Sequence, residues 1–184
     1  RTHLMAAILL VSLGVPMLAE GQDFMRSKLG KSNTYKLGDL NALDYERRLL
    51  YSGTHAYFRS WIHFRLSKAG RALRYEGTLQ KGYLKFFVCE DTSAVIAVFN
   101  ADCSVKAPKL IFAVNPHKES SAIKCDRAYL EGMMQIADHE RFNLNGFLPA
   151  LANSEEGIGR PPSVASDCIS PSGTLRPLPP IPKQ

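Results

Sequence analysis

The four cysteines of this 184-residue chain, Cys89, Cys103, Cys125 and Cys168, are widely scattered, with no Cys-x-x-Cys and no histidine at metal-ligand spacing. That scarcity excludes a zinc ribbon or finger as the organising element. An even count permits disulfides in a secreted protein, but a chain of this size does not depend on them, so reduced core cysteines are the preferred reading. The compartment is left open, with the cytoplasm preferred over secretion. No apolar run reaches the 18 or so residues of a membrane-spanning helix. Positive charge, by contrast, is plentiful: the net is +6, and basic residues run from Arg26, Lys28, Lys31 and Lys36 through Arg47 and Arg48 to Arg74. No nucleic-acid motif accompanies them. Apolar residues at 57, 58, 61, 62 and 66 follow helical spacing, which predicts one buried stripe with Arg59, Arg65 and Lys68 turned to solvent. Neither a nucleic-acid partner nor a membrane span is expected, and nothing calls for a metal or cofactor.

Arg1, His3 and the apolar run Leu4 to Leu13 imitate a secretory signal. Met17 is too large for the small-residue position at Met17-Leu18-Ala19, and cleavage there would remove the segment that the following loop continues. A buried helix followed by a short buried strand over 14–18 is preferred. The strand opens into a polar, glycine-containing loop running to about Tyr45. Connections of such length are usually functional, so the loop is read as part of a site. A second helix follows. Helix, strand, loop, helix is the order of a β/α barrel unit, in which the loop after a strand lies on the catalytic face.

The residues of this stretch carry a family likeness. Gly-Val-Pro-Met-Leu at 14–18, Gly-Gln-Asp-Phe at 21–24, Arg-Ser-Lys at 26–28, Asn-Thr-Tyr at 33–35, and Asp39, Asn41 and Asp44-Tyr45 stand in sequence. Together they resemble the alpha-amylase superfamily of glycoside hydrolases, specifically its pullulanase-type α-1,6-debranching branch. Asp23 stands where that family has Glu, and Tyr45 where it has Trp; both keep the chemical type. Less specific likeness extends through Thr54-His55-Ala56-Tyr57-Phe58-Arg59 and Phe99-Asn100-Ala101 to Val114-Asn115-Pro116-His117.

The resemblance implies an α/β plus β fold class. The final strand, active-site loop and helix of a (β/α)8 TIM barrel would be followed by a C-terminal antiparallel β-sandwich, the barrel being incomplete. A whole barrel alone takes about 250 residues. By the same resemblance Arg1 falls in the helix before the eighth strand. Retaining glycosidases place two carboxyl groups about 5–5.5 Å apart. The resemblance puts these groups and a third, stabilising Asp on strands four, five and seven, upstream of Arg1, so no catalytic residue is assigned. The function implied is that of a C-terminal fragment of a retaining hydrolase cleaving α-1,6 linkages in pullulan- or glycogen-type α-glucans, the fragment itself being inactive. The alternative is a non-catalytic carbohydrate-associated or scaffold module.

Candidate substrate-binding residues are Asn33, Tyr35, Arg26, Lys28 and Asp39. Arg26 and Lys28 donate charge-assisted hydrogen bonds, Asn33 donates and accepts, and Tyr35 offers an aromatic face with a hydroxyl. A branched α-glucan has matching hydroxyl rims and C–H faces. The competing structural reading has Arg26 bracing the loop against Asp23 or Asp39, with Tyr35 packed beneath.

Residues 1–70 are thus taken as the end of a catalytic barrel, 71–150 as a β-domain and 151–184 as a disordered tail rich in Pro, Gly and Ser. Gly70 to Gly82 reads as a linker. Tyr83–Cys89, Ala94–Phe99 and Lys109–Val114, rich in β-branched and aromatic residues, predict antiparallel strands, with a fourth within Tyr129–Ile136. Asp138-His139-Glu140 reads as a solvated turn.

Overall fold

In the computed structural model, residues 1–89, 93–119 and 121–147 are described, together with the backbone of 173–174. The Leu4–Leu13 run lies mostly in α1, Thr2–Val11, which buries Ala6, Ala7, Leu10 and Val11. The two alanines permit close approach to α4, Ser52–Leu66, the helix α1 packs on. From α4 come Tyr57, Phe58, Trp61 and Phe64, all buried. Trp61 meets the rings of Phe64, Phe112 and Phe142 edge-on, at centroid distances of 5.9, 6.4 and 4.9 Å. The ring quadrupole favours that geometry over a face-to-face stack.

Two residues depart from the predicted stripe. Leu66 is 65% exposed, whereas Arg65, expected in solvent, is only 4% exposed. The core face runs through 57, 61, 64 and 65, so position 66 rotates out of it. Arg65 is drawn in by backbone acceptors. Its guanidinium donates to the carbonyls of Leu10 at 2.7 Å, Ser12 at 2.8 Å, Leu73 at 3.1 Å, and Gly14. The last carbonyls of a helix have no partner within it, and Arg65 supplies one to the end of α1. Burial, aided by the like charge of Arg74, lowers the Arg65 pKa.

The expected linker also proves to be partly core. Ala69–Leu73 forms a 3₁₀ turn, with Ala72 and Leu73 fully buried. The buried Tyr83 hydroxyl donates to the Ala72 carbonyl at 2.5 Å. Gly70 suggests a flexible joint, but it is there for space. A Cβ on it would lie 2.1 Å from the Phe64 carbonyl oxygen and 2.7 Å from Arg65 Cα.

Beyond lies an antiparallel meander, β1 Leu84–Val88, β2 Val95–Phe99 and β3 Leu110–Val114, in spatial order β1-β2-β3. Phe86 faces Ala97, and Ala97 faces Phe112. The two-residue period divides the sheet's apolar residues between two clusters. Leu84, Ala97, Phe99, Leu110 and Phe112 join α1 and α4, so one core draws on both sides of position 70. Phe87, Ile96, Val98 and Ile111 turn the other way, toward Ile123, Cys125 and Tyr129. Asn100, fully buried at φ 55°, organises the β2–β3 connection by bonding Val105 and Ala107.

The fourth strand expected within Tyr129–Ile136 is not formed. Lys124–Cys125 (β4) instead pairs with Gly173–Thr174 (β5), Arg127–Tyr129 is a 3₁₀ turn, and Ala137 forms an isolated bridge with Phe142. Gly132 at φ 71° turns the chain inside the expected strand. Asp138 closes the turn as read. Burial raises its pKa, but the amides of Glu140 and Arg141 and the Arg141 guanidinium outweigh this and hold the carboxyl below its usual value. Cys89, Cys103 and Cys125 are free thiols. No described helix is long and apolar enough to cross a membrane. Apart from 173–174, the tail read as disordered lies outside the described residues.

Candidate functional site

The expected strand over 14–18 has no ladder partner among the described residues. The chain runs through it in the open, with Val15 91% and Met17 85% exposed. A parallel strand takes shape only when neighbours flank its edges, and none is placed there.

The loop that follows is more structured than its composition suggests. Gln22–Phe24 forms a 3₁₀ turn, Gly38–Asn41 (α2) and Arg47–Leu50 (α3) single helical turns. Gly21 opens it at φ 80°, and a Cβ there would lie 2.9 Å from Arg26 Cβ. Phe24 is buried, its ring 5.8 Å from that of Tyr45. Met25 and Leu29 adopt φ 62° and 51°, costly for bulky side chains. Arg47 offsets that cost at Met25 by donating to its carbonyl from Nε at 3.1 Å and from a terminal nitrogen.

The five candidate residues divide into two groups. Arg26 is a brace, as the structural reading held, but its partners are the carbonyls of Glu20 at 3.3 Å and Asn41 rather than Asp23 or Asp39. Lys28 donates to Thr34 Oγ1 at 3.1 Å, and Thr34 donates to Asn41 Oδ1 at 2.9 Å. The Asn41 amide returns to the Thr34 carbonyl, so the loop tip is cross-linked through its polar side chains. Asn33, Tyr35 and Asp39 stand outside this network. All three are exposed, and their side chains make no hydrogen bond among the described residues. Tyr35 does not pack beneath the loop: it is 76% exposed, with Lys36 Nζ 5.4 Å from its ring centre. The tip therefore presents an aromatic face, an amide and a carboxylate with free hydrogen-bonding capacity.

A second feature escaped the sequence reading. His55 Nδ1–H donates to Asp23 Oδ2 at 2.6 Å, tying α4 to the start of the loop. The pair stands in the wall of a cavity of about 420 Å³ between Leu18–Phe24 and α4, with Phe58 and Ile62 on the helix side and Tyr45 on the other. The signal was present: 55, 59, 62 and 63 lie on one helical face beside the core stripe. The aromatic stripe at 57, 58 and 61 overshadowed it. Among the described residues no group of three or more His, Cys, Asp or Glu side chains is placed to hold a metal ion.

Comparison with known proteins adds one relationship of note. A pullulanase of Bacillus subtilis (strain 168) is 37% identical to this chain over 82 residues, 44% of this chain and 11% of that protein. The matched stretch is thus about a tenth of the length of that curated relative. No protein-family profile matches the chain. No solved structure matches it either. The chain carries a pullulanase-related region, and through it a relationship to glycoside hydrolases.

Proposed function

We propose that the chain is a C-terminal part of a retaining glycoside hydrolase that cleaves α-1,6 branch linkages in α-glucans of the pullulan or glycogen type. In this reading it contributes the last strand, active-site loop and last helix of a (β/α)8 barrel and a following β-domain, while the catalytic carboxylates lie elsewhere in the protein. The observation that carries the proposal is the 37% identity to a pullulanase over 82 residues. Two structural features support it. The 14–18 segment leaves Val15 and Met17 bare, as a barrel strand would be without its neighbours. The loop behind it is locked through backbone carbonyls, yet leaves Asn33, Tyr35 and Asp39 unengaged at its tip. Asn33 and Asp39 suit sugar hydroxyls, and Tyr35 suits the C–H face of a glucose ring. Arg26 and Lys28 act behind them as supports.

The test is incubation of pullulan and glycogen with the full-length gene product carrying this segment. Linear chains released with retained anomeric configuration are expected. Cleavage confined to α-1,4 bonds overturns the proposal, as does hydrolysis of pullulan well above background by the 184-residue chain alone.

A further inference from the structure

The loop is braced from within. Arg26, Lys28, Thr34, Asn41 and Arg47 bond to one another or to carbonyls between Glu20 and Asn41, which makes the loop one body. A body held by the chain at its two ends is still free to swing about the line that joins them. Burial restrains that swing at few points: between Gly21 and Leu50 only Gly21, Phe24 and Thr34 are buried. Of these Phe24 alone carries a large apolar side chain, and a single buried ring resists withdrawal better than it resists rotation. The directional restraint stands next to it. His55 Nδ1–H donates to Asp23 Oδ2 at 2.6 Å, and among the described residues this is the only side-chain hydrogen bond that joins 19–50 to another part of the chain. The two side chains are 33% and 30% exposed, so water competes for the bond only in part. Its helix side is firm, because His55 sits in the first turn of α4, directly ahead of the buried Tyr57, Phe58 and Trp61.

We propose that Asp23 and His55 are a positioning pair for the loop tip: their hydrogen bond sets the angle at which the loop stands on α4, and with it the place of Asn33, Tyr35 and Asp39. That these three residues meet an α-glucan rests on the function proposed above; that the pair orients them rests on the geometry alone. Asn33 and Asp39 stand 10 and 16 positions beyond Asp23, so a small rotation at the pair becomes a large displacement at the tip. Without the bond the tip holds its working position for only a fraction of the time. The apparent affinity for substrate falls by that fraction, while the turnover of the correctly bound complex is unaltered.

The test uses the full-length protein with four variants. His55→Leu removes the donor and keeps the bulk. His55→Asn places an amide N–H close to the position of Nδ1, whereas His55→Gln places it farther out, near Nε2. Asp23→Ala removes the acceptor. On a branched α-glucan, His55→Leu should raise KM about tenfold with kcat unchanged, the lower end of what a hydrogen bond to a charged group is worth. His55→Asn should recover most of the loss and His55→Gln little of it. Asp23→Ala combined with His55→Leu should be no worse than either alone, since one bond is broken only once. A readout that needs no activity is the rate of trypsin cleavage after Lys31 and Lys36, both exposed on the loop. It should rise in His55→Leu and Asp23→Ala and return toward the parent rate in His55→Asn. The inference is overturned if trypsin cuts the parent and His55→Leu alike, if His55→Asn behaves as His55→Leu does, or if the two single losses add in full. Should the full-length protein fail on α-1,6 linkages while trypsin follows the expected order, the proposed function falls and the positioning pair stands. Branch hydrolysis and trypsin rates equal in all four variants and the parent have the opposite consequence.

Discussion

The helical core and the loop solve the same problem with the same chemistry in different surroundings. In both, an arginine gathers backbone carbonyls that no secondary structure satisfies. Arg65 gathers four at the junction of α1 and the 3₁₀ turn, at 4% exposure. In the loop Arg26 takes two and Arg47 one, all in partly open positions. Water can replace a loop arginine, because an abandoned carbonyl there can rehydrate. It cannot readily do so behind Phe64 and Leu73. The cost of breaking a bond is set less by the bond than by what is left unsatisfied when it goes.

The largest effect should come from the core side at Gly70. With a Cβ 2.1 Å from the Phe64 oxygen, Gly70→Ala must displace either the end of α4 or the 3₁₀ turn, and both carry buried residues. Loss of the cooperative unfolding transition in a urea melt is expected. A variant melting like the parent chain would show that the turn is not part of the core.

Next is a matched pair of substitutions. Arg65→Met leaves four carbonyls without their donor, those of Leu10 and Leu73 buried, and should cost on the order of 3–5 kcal/mol. Arg26→Met, in the loop, should cost about 0.5–1.5 kcal/mol. Equal losses in denaturant melts would erase the difference between the two regions.

That difference also explains what could be read from the sequence. The strands at 84–88, 95–99 and 110–114 were legible from their β-branched and aromatic residues, the helix at 2–11 from its apolar run and the helix at 52–66 from apolar periodicity. Arg65 was not. A charged residue in an apolar stripe reads as solvated, and only the three-dimensional meeting of two helix ends shows why it is buried. Gly70 misled in the same way, since composition does not distinguish a glycine kept for flexibility from one kept for space. In the loop, Arg26 and Lys28 were picked by residue type, which is the same for a sugar-binding and a carbonyl-binding cation. The Asp23–His55 pair, 32 positions apart, showed in the sequence only as a second helical face at 55, 59, 62 and 63, with nothing to tie it to Asp23.

A smaller effect is expected where core meets solvent, at the turn beneath Tyr57, whose hydroxyl donates to the Asp138 carbonyl at 2.8 Å. The Asp138 carboxyl is held below its ordinary value in the folded chain. The unfolded state then binds the proton more readily, so Asp138 contributes stability that is present above its unfolded pKa of about 3.9 and lost as pH falls through the folded value. Asp138→Asn should be less stable at neutral pH and should show a shallower loss in acid. Identical acid limbs in the two melts would remove Asp138 from the stabilising set.

The smallest effect on folding should come from the loop tip, where the comparison is sharpest. Asn33 and Tyr35 have no hydrogen-bond partner among the described residues, so replacing either by alanine removes nothing the fold relies on. Stability should change by less than about 0.5 kcal/mol. Under the proposed function, the same changes in the full-length protein should reduce branch hydrolysis. A lost hydrogen bond of about 0.5–1.5 kcal/mol corresponds to roughly a three- to tenfold lower kcat/KM for Asn33→Ala, and Tyr35→Ala should lose more through its ring. A stability loss of several kcal/mol in either variant would mean that the tip belongs with the core. Unchanged stability together with unchanged kcat/KM would withdraw both residues from the site, and the glucan would then have to be held by other parts of the protein.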